Sequence, residues 1–233
     1  SHAFSFNIIT SVEIPDSVTF LDYGVFYNND IENVKLGKGI TVIESNTFAE
    51  NKIKDVEIPS GIKTISYGAF SYNEIEELVI PEGVEEISED AFSHNKISSL
   101  TLSDTVKNIG PAFNDNQLSD EDAFIYGMEY NFETDSYEKY IASYGGSNRK
   151  KVIIPEDTKL IGFGAFADCD IEEIVIPYGV EEIDFRAFAN NSLTFITVPD
   201  SVSYFGSSVF DSNAFEGENQ FIYAYLDIYG LYF

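Results

Sequence analysis

IEELVIPEGVEEISEDAFSHNK, residues 75–96, is the unit from which the rest of the chain is built. Laid over the chain, its Ile80-Pro81 pair falls on Ile14-Pro15, Ile58-Pro59, Ile154-Pro155, Ile176-Pro177 and Val198-Pro199, while Leu36 and Leu102 hold the same place without proline. Wherever the array is unbroken the step is 22 residues. A fixed period in this range marks a stacked-repeat architecture, in which no unit buries its apolar face alone and each turn covers the next.

Five apolar columns recur. Two residues before the strand isoleucine stand Val12, Val34, Val56, Leu78, Leu100, Val152, Ile174 and Ile196, so the segment alternates as a strand that turns two side chains inward. After the isoleucine come Val18, Ile40, Ile62, Val84, Val106, Val180 and Val202, then Leu21, Ile43, Ile65, Ile87, Ile109, Ile161, Ile183 and Phe205. The fifth column is Phe26, Phe48, Phe70, Phe92, Phe113, Phe166, Phe188 and Phe210, a spine of stacked rings. Proline stops the strand, and Gly39, Gly61, Gly83 and Gly179 let the chain turn. Each unit is therefore two short strands and two corners. Before the phenylalanine, Ser88-Glu89-Asp90-Ala91 has room for at most a turn of helix.

Three residues past the phenylalanines stand Asn29, Asn51, Asn73, Asn95, Asn116, Asn191 and Asn213, with Cys169 in one asparagine's place. A buried asparagine can satisfy corner amides that no ladder reaches. Cys169 then reads as a small buried side chain rather than a reactive thiol. The composite L-x-I-P-x-x-V-x-x-I-x-x-x-A-F-x-x-N/C resembles the bacterial BspA-like subclass of leucine-rich repeats, and the likeness covers most of the chain. The resemblance implies a leucine-rich repeat solenoid of a secreted or surface-attached bacterial protein, with adhesion or ligand-binding roles and no catalytic residue to carry over. The expected fold is right-handed and β-rich, with parallel strands, little helix and about eight to ten turns.

The array is interrupted once, since Ile154 lies 52 residues after Leu102. The chain reads as one domain. Ser1-His2-Ala3 looks like a cloning remnant, 8–118 a first array, 119–151 an island with a β-hairpin, 152–215 a second array, and 216–233 a second island or a C-terminal cap. The hairpin is suggested by alternation from Phe124 to Tyr130 and from Glu138 to Tyr144 about a polar connection at 131–136. Asn213–Tyr223 repeats the pattern of Asn116–Tyr126, 97 residues on.

Thirteen basic against 40 acidic residues give a net charge of −27, which repels nucleic acid and anionic membrane. Aromatic residues at 15% and the regular apolar pattern exclude disorder. One cysteine forms no internal disulfide, and no run is long enough to cross a bilayer. The inventory offers no nucleophile with a base beside it and no phosphate cradle. Ser119–Asp122 is the best acidic loop for a hard cation but lacks the spacing of a calcium loop, and no cofactor is expected. Lys63, Glu85, Lys107, Lys159 and Glu181 share one column and read as charge pairing between turns. Tyr126, Tyr130, Tyr137, Tyr140 and Tyr144 concentrate in the island and are the candidate contact residues for a protein or glycan ligand, a host's included. A second aromatic column, Tyr23, Tyr67, Phe163 and Phe185, is either further core or an exposed stripe. The functional expectation is a non-catalytic, monomeric, extracellular or cell-surface binding module, with a structural spacer as the alternative.

Overall fold

A computed structural model describes residues 2–132, 135–146, 149–215 and 221–223, the last as backbone alone. It is a β-solenoid of about nine turns, and among the described residues there is no helix. Each turn contributes to two parallel ladders. The first joins Ser11–Glu13 to Asn33–Lys35, Glu77–Ile80 to Ser99–Leu102, and Lys151–Ile153 to Glu173–Val175. In the second, Val42–Ile43, Thr64–Ile65, Glu86–Ile87 and Asn108–Ile109 form one sheet. Leu160–Ile161, Glu182–Ile183 and Tyr204–Phe205 belong to another. Register follows the repeat, so Leu78 faces Leu100 and Ile65 faces Ile87.

The apolar columns meet in one continuous core. Phe48, Phe70, Phe92, Phe113, Phe166 and Phe188 are all fully buried. From Phe4 to Phe113 successive rings lie 5.3–5.6 Å apart with planes within 11° of parallel. That spacing exceeds the ladder step of about 4.8 Å, so the rings are offset along their faces. A sixth column, two residues past the asparagine, escaped the sequence reading. Ile31, Ile53, Ile75, Ile97, Leu118, Ile171 and Leu193 are each at most 1% exposed. The repeat also begins earlier than its first Ile-Pro pair, because Phe4 stacks on Phe26 and the Asn7 side-chain amide donates to Phe4 and Ser5 carbonyls.

The corner before each phenylalanine is a hydrogen-bonded turn rather than a turn of helix. Ala91 N–H donates to Ser88 at 3.3 Å, but Asp90 between them has a φ of 58°. A left-handed residue there ends any helical continuation. The position two past the phenylalanine is left-handed as well, at Asn28, Glu50, Tyr72, His94, Asp115, Asp168, Asn190 and Ser212. Except at Phe113, where Pro111 stands two before the ring, two bends in five residues shape each corner.

The asparagine column does what the corner geometry requires. Asn73 donates to the carbonyls of Phe48, Phe70 and Ser71 at 2.9–3.3 Å and accepts from Ile53 N–H at 3.0 Å. Asn51, Asn95 and Asn191 repeat the pattern. Cys169 keeps part of it, its thiol donating to Ala167 at 3.2 Å and to Tyr144 at 3.6 Å.

Between Ile109 and Ile161 the longest strands of the molecule, Phe124–Asn131 and Ser136–Tyr144, pair antiparallel. The inner strand then pairs parallel with Leu160–Ile161, placing Ile141 beside Ile161. Ile141 thus occupies the isoleucine column and Tyr144 the phenylalanine column, its ring 5.2 Å from that of Phe166. Residues 221–223 pair parallel with Ile196–Val198. The remainder of the second island or cap read at 216–233 lies outside the described residues.

Candidate functional site

The five island tyrosines divide by position. Tyr144 is 2% exposed, and burial pushes its phenol up to about 12. Tyr140 is half-buried, its hydroxyl donating to Ile109 at 3.0 Å. Tyr126 is half-buried too, with the Lys139 ammonium 3.5 Å from its ring centre. These three brace the antiparallel ribbon against the solenoid. Tyr130 and Tyr137 face solvent, their ring centres 5.2 Å apart, and Phe132 stands edge-on to Tyr130 at 5.0 Å. Phe132 is 89% exposed and Tyr137 67%. The Tyr130 hydroxyl donates to Asp135, which fixes the ring. Phe132 lies in the expected connection and was missed, because a lone aromatic in a polar turn gives no periodic signal.

A second surface follows from the corners. The side chains three and two residues before the phenylalanine, and one and two after it, line a trough across successive turns. One part, about 300 Å³, is bounded by Tyr23, Tyr27, Glu50, Tyr67, Tyr72 and Asp90, with Ala49 and Ser71 lining it between them. The next part, about 210 Å³, adjoins it at Tyr67 and Asp90 and is closed by Glu89, Phe163, Asp168 and Arg186. Tyr23 and Tyr67 are 47% exposed, and the rings of Phe163 and Phe185 are stacked at 5.7 Å with Phe185 exposed. The second aromatic column is thus an outward stripe rather than further core.

Charge in the trough is desolvated and mixed in sign. Burial raises Glu89, with Asp90 adding to the effect and Arg186 opposing it. Burial also raises Asp90, against the pull of His94. His94 is raised first by its hydrogen bond to Asp115, at 2.8 Å, and its ring lies 4.2 Å over that of Tyr72. Sequence reading noted the aromatic column but not these partners. Glu89 and Asp90 precede the ribbon and Asp168 and Arg186 follow it, so only the stack brings them together.

Other candidates do less. The acidic loop folds on itself, Ser119 donating to Asp122 at 2.7 Å while Asp120 faces Arg149 at 3.1 Å. Among the described residues no three carboxylate, imidazole or thiol groups converge to hold a metal ion. Cys169 is fully buried, and desolvation pushes its thiol far above the ordinary range. A groove of about 1040 Å³ runs over the Ile14-Pro15 and Ile58-Pro59 corners and contains no aromatic side chain. Lys63 meets Glu85 at 3.0 Å and Lys159 meets Glu181 at 2.6 Å, on side chains more than half exposed.

The model of the BspA type leucine rich repeat region matches the chain in six copies, over residues 1–119 and 140–221. The unmatched gap is the acidic loop and the outer part of the ribbon. Among curated proteins none matches. Solved structures share the fold, three of them from bacterial leucine-rich repeat proteins and a pneumococcal antigen. A leucine-rich repeat protein from Eubacterium ventriosum superposes with a TM-score of 0.61 at 18% identity, over 85% of this chain and 56% of that one. The pneumococcal vaccine antigen PcpA gives 0.52 at 18% identity, over 88% and 60%. A leucine-rich repeat protein from Bacteroides ovatus gives 0.51 at 22% identity, over 87% and 46%. The chain spans about half the length of the solved proteins it matches.

Proposed function

The chain belongs to the BspA-type leucine-rich repeat family, and from that premise we propose that it is a non-catalytic recognition module of a bacterial surface protein, binding a protein or glycan partner through exposed aromatic side chains. The observation that carries the reading is the cluster of Tyr130, Phe132 and Tyr137 at the end of the ribbon. The solenoid fold is complete without it: Ile141 and Tyr144 already fill the core columns of that turn. Three rings gathered on a surface carrying a net charge of −27 serve neither packing nor solubility, whereas clustered tyrosines give large contact area at small entropic cost. The stacked, ladder-paired turns favour a second reading, a stiff spacer that binds nothing.

One experiment separates them. Tyr130→Ser with Tyr137→Ser is expected to shift the melting temperature by no more than about 3 °C, since both side chains are surface-exposed. Retention on extracellular-matrix and glycan arrays is expected to fall, by about 1–2 kcal/mol for each lost anchor. A melting temperature lower by many degrees with retention unchanged would make the ribbon a brace and the chain a spacer.

A further inference from the structure

The turn that carries Tyr144 lacks the outward corner of its neighbours. Residues 141–146 are all buried, and neither Ala142 nor Gly146 takes the left-handed backbone found at the corresponding places of the other turns, Pro111 excepted. The Asn114 amide reaches across this shortened turn to the carbonyls of Gly164 and Ala167, both at 2.9 Å, and accepts from the Ser143 hydroxyl at 2.6 Å. The flanking corners stand higher than this turn, so the trough deepens between them. Its second recess is the result, floored by Asn114, Gly164 and Ala167.

We propose that the corner trough, deepened by the shortened turn, binds a neutral oligosaccharide lying along the stack. The site is separate from the ribbon and is built from other residues. Tyr23, Tyr67 and Phe163 stand along one wall of the trough and present apolar surface at intervals of whole turns. Sugar rings pack their C–H faces on such surface. Around the aromatics the lining mixes acceptors, Glu89, Asp90 and Asp168, with donors, Arg186 and the Tyr72 hydroxyl. A sugar hydroxyl donates and accepts at once, so it matches both kinds of partner. Each recess has room for little more than a single hexose.

The spacing of the turns suits a glycan laid along the stack. The ladder advances about 4.8 Å per turn, close to the advance of one pyranose in an extended β-linked chain. Acidic glycans are excluded by the −27 charge.

Titration calorimetry on the full chain tests this with neutral β-1,4-linked hexasaccharides of glucose and of N-acetylglucosamine, and with decalysine as the cationic competitor. We expect at least one hexasaccharide to bind, Tyr67→Ala to weaken it at least tenfold, and the Tyr130→Ser, Tyr137→Ser pair to leave it within twofold. Asp168 is exposed, so Asp168→Ala tests the same wall without threatening the fold and is expected to lose at least threefold. No binding by either hexasaccharide overturns the proposal. So does binding that both trough variants leave unchanged, or decalysine binding that these variants weaken while no sugar binds.

Discussion

Asn73 makes four hydrogen bonds from a side chain 7% exposed, so removing it strands a backbone N–H and several carbonyls inside the corner. Each unsatisfied buried group costs about 1–3 kcal/mol. Asn73→Ala is therefore expected to lose about 3 kcal/mol or more, read by urea denaturation, although it deletes almost no apolar contact. Cys169 stands in the same column with a thiol that burial holds protonated. Its reaction with a maleimide at pH 8 is expected to be at least about a hundredfold slower in the folded chain than in denaturant, since only opened molecules expose a thiolate. Both columns were legible because phenylalanine and asparagine keep a three-residue spacing in unit after unit. Tyr144 was not. It lies 31 residues past Phe113, and a tyrosine among four other island tyrosines reads as surface until the stack shows it on Phe166.

For the elements, the ladders rank what matters. The Phe92 ring is fully buried between Phe70 and Phe113, whereas Lys63 and Glu85 pair on side chains 53% and 57% exposed. Phe92→Ala is expected to cost about 3–5 kcal/mol, and Lys63→Ala less than about 0.5 kcal/mol, since water screens an exposed pair. Hydrogen exchange should show the Phe92→Ala loss first as opening of that turn and its neighbours. The two strands and two corners of each unit could be read from alternation, proline and glycine. The dual role of the inner ribbon strand could not, because Ile141 follows Ile109 by 32 residues and breaks the 22-residue step that identifies its column. The trough was hidden for a different reason: it is built from the most variable positions of the unit, which have meaning only once turns are stacked.

Over the whole molecule, acidity should act against intuition. His94 is held above the ordinary histidine value of 6.5 by Asp115, so its contribution is complete below that value and fades as pH rises through its folded value. Glu89 and Asp90 are raised by burial, so the folded chain binds their protons more tightly than the unfolded one and gains as pH falls toward those values. Asp168, Arg186, Tyr67 and Tyr72 are further charged or titratable groups around this cluster. Glu74, lowered by Lys96, acts oppositely, but only within and below the ordinary carboxylate range. Relief of the −27 net charge adds to the gain. The melting temperature is therefore expected to rise as pH falls from 8 to about 5.5, and scanning calorimetry across that range checks it.

Corner amides bonded to the adjacent turn, as Phe26 N–H is to Thr47 and Phe70 N–H to Ala91, also settle how the molecule carries a load. Pulled by its ends, such a stack opens like a zipper rather than shearing like a sheet. Each turn that lets go releases 22 residues, about 70–80 Å of slack at full extension. The antiparallel ribbon, bonded along most of two long strands, is the place where unravelling stalls. Under tension the molecule would lengthen in steps on either side of that stop, a shock absorber with a knot in the middle.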